Sequence, residues 1–540
     1  MKNHKRYRRL LAGVLAGLLM TAGGPAHKAE AATAPGYIKA ATYVSDAWVS
    51  NFWNSESDHM EEELARIAAD GFNSIVLVVP WREFQPSIEP ISYSSYPFQK
   101  LDQIMRAAGA QGLGVVFRVG YTWDYYSDDA SNLRFRELLR NQATRAGWID
   151  YARTLYQAGS AYSNFYGGFM TWEDFWNYVE DATSFGNGQY SIHEAKRIGY
   201  QTYLKKNYTM KEINEAYGDD DLFQKVDQVY IPRKNQNAYR LFYEFYDDYL
   251  NCLLADTQAV FPNLSMEVRL DVDPVDALEG DGKVGVPHYQ TFGCGNSEFT
   301  SLMYSVSMGR DFGQLITASE AIETMNEQLE IVRLHNGGKP IFIDQLLYTD
   351  ATEGFEHNAR LHASHMGAYL TGIPDTLRRY TNGYAIWTYR NYANNPVYNS
   401  QFALGSKGWT VSGGKAAERN DSSQMLLSAG GSLSQKVGHR ISGRNTHENH
   451  VRFTADCDGT ALITVSLGRN SRQIEVQGKQ EYDLNFGPVS YYEVSFSTDA
   501  DVYLDNIEVY NFVQDGQLYD MDGNELGCLG AIRTLNAAMN

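Results

Sequence analysis

Cysteine is scarce in this chain of 540 residues, which has only four: Cys252, Cys294, Cys457 and Cys528. They are widely spaced and form no CxxC pair, so the sequence predicts neither a zinc site nor a dense disulfide framework. A single bridge between Cys252 and Cys294 stays open as an alternative.

Positive charge is also in short supply, because 46 Lys and Arg residues stand against 65 Asp and Glu residues and leave a formal net charge of -19. A surface of this sign repels polyanions, so nucleic acid is not expected as a partner. His288 and His357 have no second ligand at metal spacing and are interpreted as surface residues. Phosphate loops and nucleophile elbows are missing too, which argues against a kinase or an esterase. We expect no metal and no cofactor.

Apolar runs long enough to span a membrane are missing, since a spanning helix needs about 20 apolar residues. The apolar run at residues 10–22 is shorter, follows basic residues at positions 2–9, and precedes the small-x-small triplet Ala29-Glu30-Ala31. This order is typical of a secretory signal peptide. We therefore expect residues 1–31 to be removed after Ala31 and the mature protein to be secreted, without a membrane span.

Aromatic side chains, in contrast, are abundant, with 38 Tyr, 24 Phe and 9 Trp making up 13% of the chain. Such rings pack in cores, and they also line grooves for ligands that have both apolar and hydroxyl faces. Sugars are ligands of this kind.

Strand and helix patterns alternate from residue 36 to residue 395. The run NSIVLVVP at residues 73–80 is nearly all apolar and rich in β-branched residues, as in strands buried on both faces of a parallel sheet. Eight strand-helix units indicate the α/β class and a (β/α)8 TIM barrel. The predicted strands are residues 37–44, 73–80, 114–120, 169–172, 265–270, 302–308, 340–347 and 383–389.

The helical periodicity disappears after about residue 396. Short alternating runs separated by turn signals predict an all-β sandwich domain over residues 396–512. Residues 513–540 predict a C-terminal hairpin and tail, with the turn at Asp522 and Gly523. A calcium loop built from the same acids is the alternative, but the spacing lacks the full ligand set.

Two carboxylates follow the fourth predicted strand. The stretch YGGFMTWEDFW at residues 166–176 has two glycines that break the preceding pattern, then FMTW as a buried strand, then Glu173 and Asp174. Because the carboxyl ends of barrel strands form the active-site face, Glu173 is the leading candidate for a catalytic acid. The alternative is an acid that opens a helix and interacts with its dipole.

Residues 36–512 resemble, as a pattern, the secreted (β/α)8 glycoside hydrolases of the large retaining superfamily that contains cellulases, β-mannanases and β-galactosidases. The segment YLKKNYTMKEINEAYG at residues 203–218 is similar to a helix pair that follows the acid-bearing strand in thermophile-type β-galactosidases. The terminal module resembles carbohydrate-binding β-sandwiches through NSQF at 399–402, GW at 408–409 and VYLDNI at 502–507. The resemblance implies a glycosidase acting on a polysaccharide or an oligosaccharide.

The resemblance also implies catalytic roles, with departures. Glu173 matches the acid/base residue of strand four, although it follows Trp172 where the superfamily usually has Asn. The nucleophile of strand seven, five positions after a Pro, falls on Gln345, and Asp344 precedes it. Since a neutral amide cannot be the nucleophile of a double displacement, Asp344 is the candidate partner of Glu173, with Glu267 in reserve.

Several readings stay open at this point. Carboxyl groups ~5 Å apart favour retention of the anomeric configuration, and a gap of ~6.5 to 9.5 Å favours inversion. A substrate-assisted mechanism is a third possibility. The alternative function is a non-catalytic carbohydrate-binding protein on a degenerate hydrolase barrel, which a neutral Gln345 would suit.

The remaining candidates are substrate contacts. Trp387 matches the strand-eight Trp that floors the sugar site in the resembling enzymes. Arg118 and Arg269 are suited to holding hydroxyls or orienting a carboxylate through paired hydrogen bonds, with buried ion pairs as the alternative. The full set of expected substrate-binding residues is Trp387, Gln345, Glu267, Arg269, Arg118, Trp172, Tyr121 and Tyr304. The sequence leaves the oligomeric state undecided.

Overall fold

The computed structural model describes residues 36–47, 49–55, 59–121, 131–268, 274–276, 283–285, 297–307, 310, 313–349, 358–419, 422–437, 448–513 and 518–540. Eight parallel strands close a barrel in the order β1-β8-β7-β6-β5-β4-β3-β2. An antiparallel β-domain follows it, so the predicted fold class is confirmed. The barrel strands are β1 (Ile38–Thr42), β2 (Ser74–Val79), β3 (Gly114–Val119), β4 (Phe165–Met170), β5 (Ser265–Val268), β6 (Thr300–Ser305), β7 (Ile341–Leu347) and β8 (Thr381–Ile386).

Helices surround the barrel and fill the connections between its strands. The helices are α1 (Val49–Phe52), α2 (Met60–Ala69), α3 (Trp81–Phe84), α4 (Ser95–Ala110), α5 (Ser131–Glu137), α6 (Gln142–Ser160), α7 (Trp172–Ser184), α8 (Gln189–Arg197), α9 (Tyr200–Asn207), α10 (Met210–Tyr217), α11 (Tyr239–Gln258), α12 (Ala318–His335), α13 (Met366–Gly372), α14 (Pro374–Tyr380) and α15 (Leu529–Ala538). The described residues also contain two 3-10 turns, Val226–Gln228 and Ala363–His365. Short strand pairs join Ser87–Ile88 to Ile91–Ser92, Pro274–Asp276 to Lys283–Gly285, and Leu315–Ile316 to Arg360–Leu361.

The helix pair predicted in the long connection between β4 and β5 is present as α9 and α10. The Thr209 side chain accepts a hydrogen bond from the Glu212 backbone, and the Glu212 carboxylate accepts one from the Thr209 backbone, which is the predicted capping box. Gly218 ends α10 with φ of 81°, a left-handed conformation that glycine adopts without strain.

The prediction for β4 was wrong in its limits. The strand includes both glycines of the YGG segment, and Trp172 opens α7 instead of ending the strand. The reason is close packing between β3 and β4: a Cβ at Gly168 would lie 2.5 Å from the carbonyl oxygen of Phe117. Glycine here permits the strand approach and does not break the strand.

Seven antiparallel strands form the described part of the β-domain. They are β9 (Tyr392–Asn394), β10 (Thr410–Arg419), β11 (Ser422–Lys436), β12 (Glu448–Leu467), β13 (Asn470–Pro488), β14 (Glu493–Thr498) and β15 (Val502–Val513). Two residues that carried the resemblance to carbohydrate-binding modules lie in its core: the rings of Phe402 and Trp409 are 5.5 Å apart, and the Trp409 indole donates to the carbonyl of Asn399. Within this domain Trp409 is therefore a packing residue.

The C-terminal helix α15 was not predicted, and it packs against the barrel through Asp70. The Asp70 carboxylate accepts hydrogen bonds from the hydroxyls of Tyr389 and Tyr519, at 2.7 and 2.9 Å, and from Nε of Arg533 at 2.8 Å. Asn536 on α15 donates to the Asp70 carbonyl. One buried carboxylate thus joins the end of α2, the segment after β8 and the C-terminal segment.

The described residues include no helix long and apolar enough to cross a membrane. Cys252 is a free thiol, and Cys294, its suggested partner, lies outside the described residues. At the predicted C-terminal turn, Tyr519 pairs with Glu525, and the Asp520 carboxylate accepts hydrogen bonds from the backbone of Asp522 and Asn524.

We predict that Asp70→Asn lowers the free energy of unfolding by about 2–3 kcal/mol, because it removes a buried charge that accepts three side-chain hydrogen bonds. Denaturant unfolding measures the change. Asp375→Asn is the matched control: its side chain is 98% exposed and is paired with Arg378. An equal effect of the two substitutions would contradict the role given to Asp70.

Candidate active site

The deepest part of the barrel interior is an apolar floor. The Phe342 ring of β7 lies 6.2 Å from the Phe169 ring of β4 and 5.8 Å from that of Phe299, so the interior is packed at this level. The residues of this floor form one hydrophobic cluster, which is separate from the core between the barrel and its helices. The floor consists of Ile38, Ala40, Val76, Val116, Phe169, Phe299, Phe342 and Ala385.

Charged side chains lie above the floor, near the carboxyl ends of β3 and β5. Arg118 comes two positions after the floor residue Val116, so alternation turns it inward. Met266 and Val268 belong to the large hydrophobic cluster that also contains helix residues such as Leu155 and Leu250, called here the helix-facing core. Glu267 lies between these two residues and therefore faces inward as well. Arg118 and Glu267 are each 1% exposed.

A bulge in β7 brings two more polar side chains into the interior. The register of β7 against β6 skips Asp344. On the other side, Ile343 and Leu346 of β7 pair with Tyr384 and Ile386 of β8. Two residues lie between the paired positions on β7, but only one lies between them on β8. Since Ile343 and Leu346 both belong to the helix-facing core, the two residues between them, Asp344 and Gln345, face the interior.

Aromatic rings flank the charged residues on the carboxyl side. The Arg118 guanidinium carbon lies 5.4 Å from the centre of the Tyr121 ring and 5.8 Å from that of Trp387, within cation-π range. Trp387 is 8% exposed, more than the charged residues beneath it. The structure therefore brings together three of the expected substrate-binding residues, Arg118, Tyr121 and Trp387.

Glu173 is the second residue of α7, three residues after the end of β4. It thus stands at the carboxyl end of a barrel strand and also in the first turn of a helix, which joins the two interpretations of its sequence position. The side chains of Glu173 and Trp172 lie outside the described part of the chain, and so does Arg269.

Tyr304 occupies a different place from the one expected. It is fully buried in the helix-facing core, and burial raises the pKa of its hydroxyl, which lies near that of Tyr369. Strand alternation turns Tyr304 away from the interior and turns its neighbour Met303, level with Gln345, toward it. Period-two alternation in LMYSVSM would have indicated Met303 from the sequence.

The β-domain is attached at the carboxyl end of the barrel, beside the segments that follow β1 and β2. Ser400 donates its hydroxyl to the Asn54 carbonyl, and Asn54 donates its amide to the buried Glu83 at 3.2 Å. The Arg82 guanidinium lies 3.5 Å from the centre of the Tyr398 ring. These inter-domain contacts join residues more than 300 positions apart, and no local sequence signal indicates them.

Metal-ligating residues are not clustered in the part of the chain that the structure describes: no group of three or more His, Cys, Asp or Glu side chains could hold an ion there. The interior charges are instead one guanidinium and two carboxylates, with a neutral amide beside them. Burying charges in this way is costly, and such groups are more often found at functional sites than in ordinary cores.

Comparisons with known proteins find solved structures that are similar to this chain at low sequence identity. No family model matches the chain, and no curated protein matches it. A GH5_18 structure from Streptomyces cattleya in complex with GlcNAc is 17% identical, with 67% of this chain and 72% of that chain covered and a TM-score of 0.41. The β-galactosidase of the psychrophilic Marinomonas ef1 is 11% identical over 65% of this chain and 54% of that one, with a TM-score of 0.45. An exo-β-1,4-mannosidase from Opitutaceae bacterium strain TAV5 is 13% identical over 68% and 56%, with a TM-score of 0.40.

We predict that Gly168→Ala destabilises the barrel by about 1–3 kcal/mol, because the added Cβ would overlap the Phe117 carbonyl and push β4 away from β3. Thermal unfolding measures the change. Gly367→Ala is the control, since α13 has open space at that position and alanine should stabilise the helix by about 0.5–1 kcal/mol. A neutral Gly168→Ala would show that the strand contact is not tight.

Proposed function

We propose that this chain is a glycoside hydrolase that cleaves O-glycosidic bonds in a polysaccharide or an oligosaccharide. The observation that carries the proposal is the group of inward-facing polar residues at the carboxyl end of the barrel, below Trp387: Arg118, Glu267, Asp344 and Gln345. In barrels of this kind the carboxyl ends of the strands form the active site. An indole beside carboxylate, guanidinium and amide groups suits a sugar, which has an apolar face and many hydroxyls.

Two carboxyl groups divide the proposed chemistry between them. Glycosidic cleavage needs a protonated carboxyl group that delivers a proton to the leaving oxygen and a carboxylate that assists attack on the anomeric carbon. Glu173, after β4, is assigned the first role because it stands at the rim of the barrel. Asp344, on β7, is assigned the second because the bulge turns it inward.

The remaining interior residues are assigned to binding. Trp387 would stack against the sugar ring, and Gln345 and Arg118 would hold hydroxyl groups. Glu267 would act with Arg118 in orienting the site, as oppositely charged groups in one interior. Trp172 and Arg269, which the sequence also predicts as substrate contacts, are assigned to binding as well.

Residues 1–31 and the β-domain bear on where the proposed enzyme acts and how it meets its substrate. The basic and apolar order of residues 1–31, with the Ala29-Glu30-Ala31 triplet, favours export of the enzyme. The β-domain, by its sequence resemblance to carbohydrate-binding modules, would hold glycan near the barrel. Its attachment beside the segments after β1 and β2 supports this placement.

The first test is reducing-sugar release from a panel of purified polysaccharides. We expect the wild type to cleave at least one of them and Glu173→Gln and Asp344→Asn each to lower kcat by about 10²–10⁴-fold, because each variant lacks one proton-transfer group. Glu215→Gln and Asp375→Asn, which change exposed carboxylates on α10 and α14, are the matched controls and should keep full activity.

Two outcomes would contradict the proposal. Sugar binding without cleavage of any glycan would favour the non-catalytic binding protein. Cleavage that is unaffected by Asp344→Asn would place the second carboxylate elsewhere, and Glu267→Gln would then be the next variant.

We predict that Trp387→Ala weakens sugar binding, with the Kd raised about 10-fold or more, because a stacking surface for the sugar ring is lost. Isothermal titration calorimetry in the inactive Glu173→Gln background, with the intact glycan that the wild type cleaves, measures affinity without turnover. Trp409→Phe is the control, since that ring lies in the β-domain core, 5.5 Å from Phe402. Unchanged affinity in Trp387→Ala would remove this indole from the site.

A further inference from the structure

We propose that Thr42, the last residue of β1, determines part of the specificity of the barrel site. Its hydroxyl binds a hydroxyl group of the sugar unit that stacks on Trp387. The inference rests on the proposed glycosidase function and concerns the same site. It defines the ligand more closely, as a sugar unit with a free hydroxyl group on the edge that faces β1. A unit that is deoxygenated or O-substituted at this position would be a poor substrate.

The side chain of Thr42 faces the barrel interior. Two alternate residues of β1, Ile38 and Ala40, belong to the apolar floor, whereas Ala41 belongs to the helix-facing core. Thr42 follows Ala40 by two residues, so strand alternation turns it inward and places it above the floor. Its side chain is almost entirely buried there, since the residue is 1% exposed.

Strand register places Thr42 beside Trp387. Ala41 of β1 pairs with Ile386 of β8. Thr42 and Trp387 each follow this pair by one residue, so they stand at the same level of the barrel. Gln345 belongs to β7, which lies on the other side of β8. Since neighbouring strands lie about 4.8 Å apart, the strands that carry Thr42 and Gln345 are roughly 9–10 Å apart, with the indole between them.

The Thr42 hydroxyl and the Gln345 amide nitrogen share an uncommon property. Each is buried and has no hydrogen-bond partner among the residues that the structure describes. A buried polar group without a partner destabilises the folded protein, so such a group in a native interior calls for an explanation. A sugar ring stacked on Trp387 supplies both partners, because its face is apolar and its edges carry hydroxyl groups.

The chemistry of threonine suits a sugar hydroxyl in particular. The Thr42 hydroxyl can donate one hydrogen bond and accept another, and a sugar hydroxyl can do the same. Threonine is short and β-branched, so few rotamers are open to it and the backbone of β1 largely fixes where its oxygen lies. A site that binds a substrate hydroxyl rejects an analogue without it strongly, because the buried protein group is then left unpaired.

The first experiment compares full-length Thr42→Val with the wild type. The substrate is the polysaccharide that the wild type cleaves fastest in a panel of β-linked galactan, mannan and glucan. Valine keeps the shape of the side chain and removes only the hydroxyl. We expect kcat/KM to fall about 5- to 50-fold, because one hydrogen bond to the sugar is lost. We expect the midpoint of thermal unfolding without glycan to stay equal or rise, because no unpaired hydroxyl remains.

The matched control is Thr257→Val on α11, which changes another fully buried threonine. The Thr257 hydroxyl has partners in the protein: it donates to the Leu253 carbonyl at 2.7 Å and accepts from the Trp148 indole at 3.0 Å. We expect Thr257→Val to lower the midpoint of unfolding and to leave kcat/KM unchanged. The two variants should therefore show opposite patterns of stability and activity.

A second measurement identifies the sugar hydroxyl that Thr42 binds. It uses the monodeoxy analogues of the smallest oligosaccharide that the wild type cleaves. We expect one analogue to lower kcat/KM of the wild type about 10-fold or more. The same analogue should lower kcat/KM of Thr42→Val by less than about 3-fold, because the protein partner is already absent. Thr42→Ser keeps the hydroxyl and should discriminate as the wild type does.

Three outcomes would contradict the inference. Wild-type kcat/KM in a folded Thr42→Val variant would overturn it and leave the glycosidase function intact. Equal sensitivity of the wild type and Thr42→Val to every monodeoxy analogue would do the same. If Thr42→Val does not fold, Thr42→Ala, which also lacks the hydroxyl, replaces it in both measurements. Absence of cleavage on every glycan of the panel would overturn the glycosidase function and this inference with it.

Discussion

Closure of eight parallel strands into a barrel sends every second side chain of each strand into one confined interior, and the rest of this structure depends on that constraint. The deep levels of the interior are filled by apolar side chains such as Phe169 and Phe342, whose rings lie 6.2 Å apart across the barrel. The charged groups stand above this floor, toward the carboxyl ends of the strands. Arg118, Glu267 and Asp344 occupy this level and are almost entirely buried.

The β7 bulge modifies this constraint at one point. Regular alternation would turn Asp344 and Gln345 to opposite faces, and one of them would enter the helix-facing core. With an extra residue in the strand, Ile343 and Leu346 both remain in that core and both polar residues face inward. The bulge therefore determines which polar groups a ligand at the barrel mouth would meet.

Contacts between segments far apart in sequence support the barrel at two places. At the carboxyl end, Ser400, which lies between β9 and β10, donates a hydrogen bond to Asn54, and Asn54 donates one to Glu83. Elsewhere on the barrel, Asp70 gathers hydrogen bonds from the segment after β8 and from the C-terminal segment. Segments that follow β8 thus contact elements that precede β3, which ties the β-domain and α15 to the barrel.

The amino-acid sequence by itself determined the barrel class, because strands buried on both faces leave continuous apolar runs and helices leave a 3.6-residue period. It also determined the capping box at Thr209, the acid that follows β4, and the adjacent acid and amide in β7. Only the tertiary structure decided the strand role of Gly168, the outward direction of Tyr304, the inward direction of both Asp344 and Gln345, and the docking of α15. The physical reason is that these features depend on the register and spacing of neighbouring strands and on contacts between distant segments, and local periodicity contains neither.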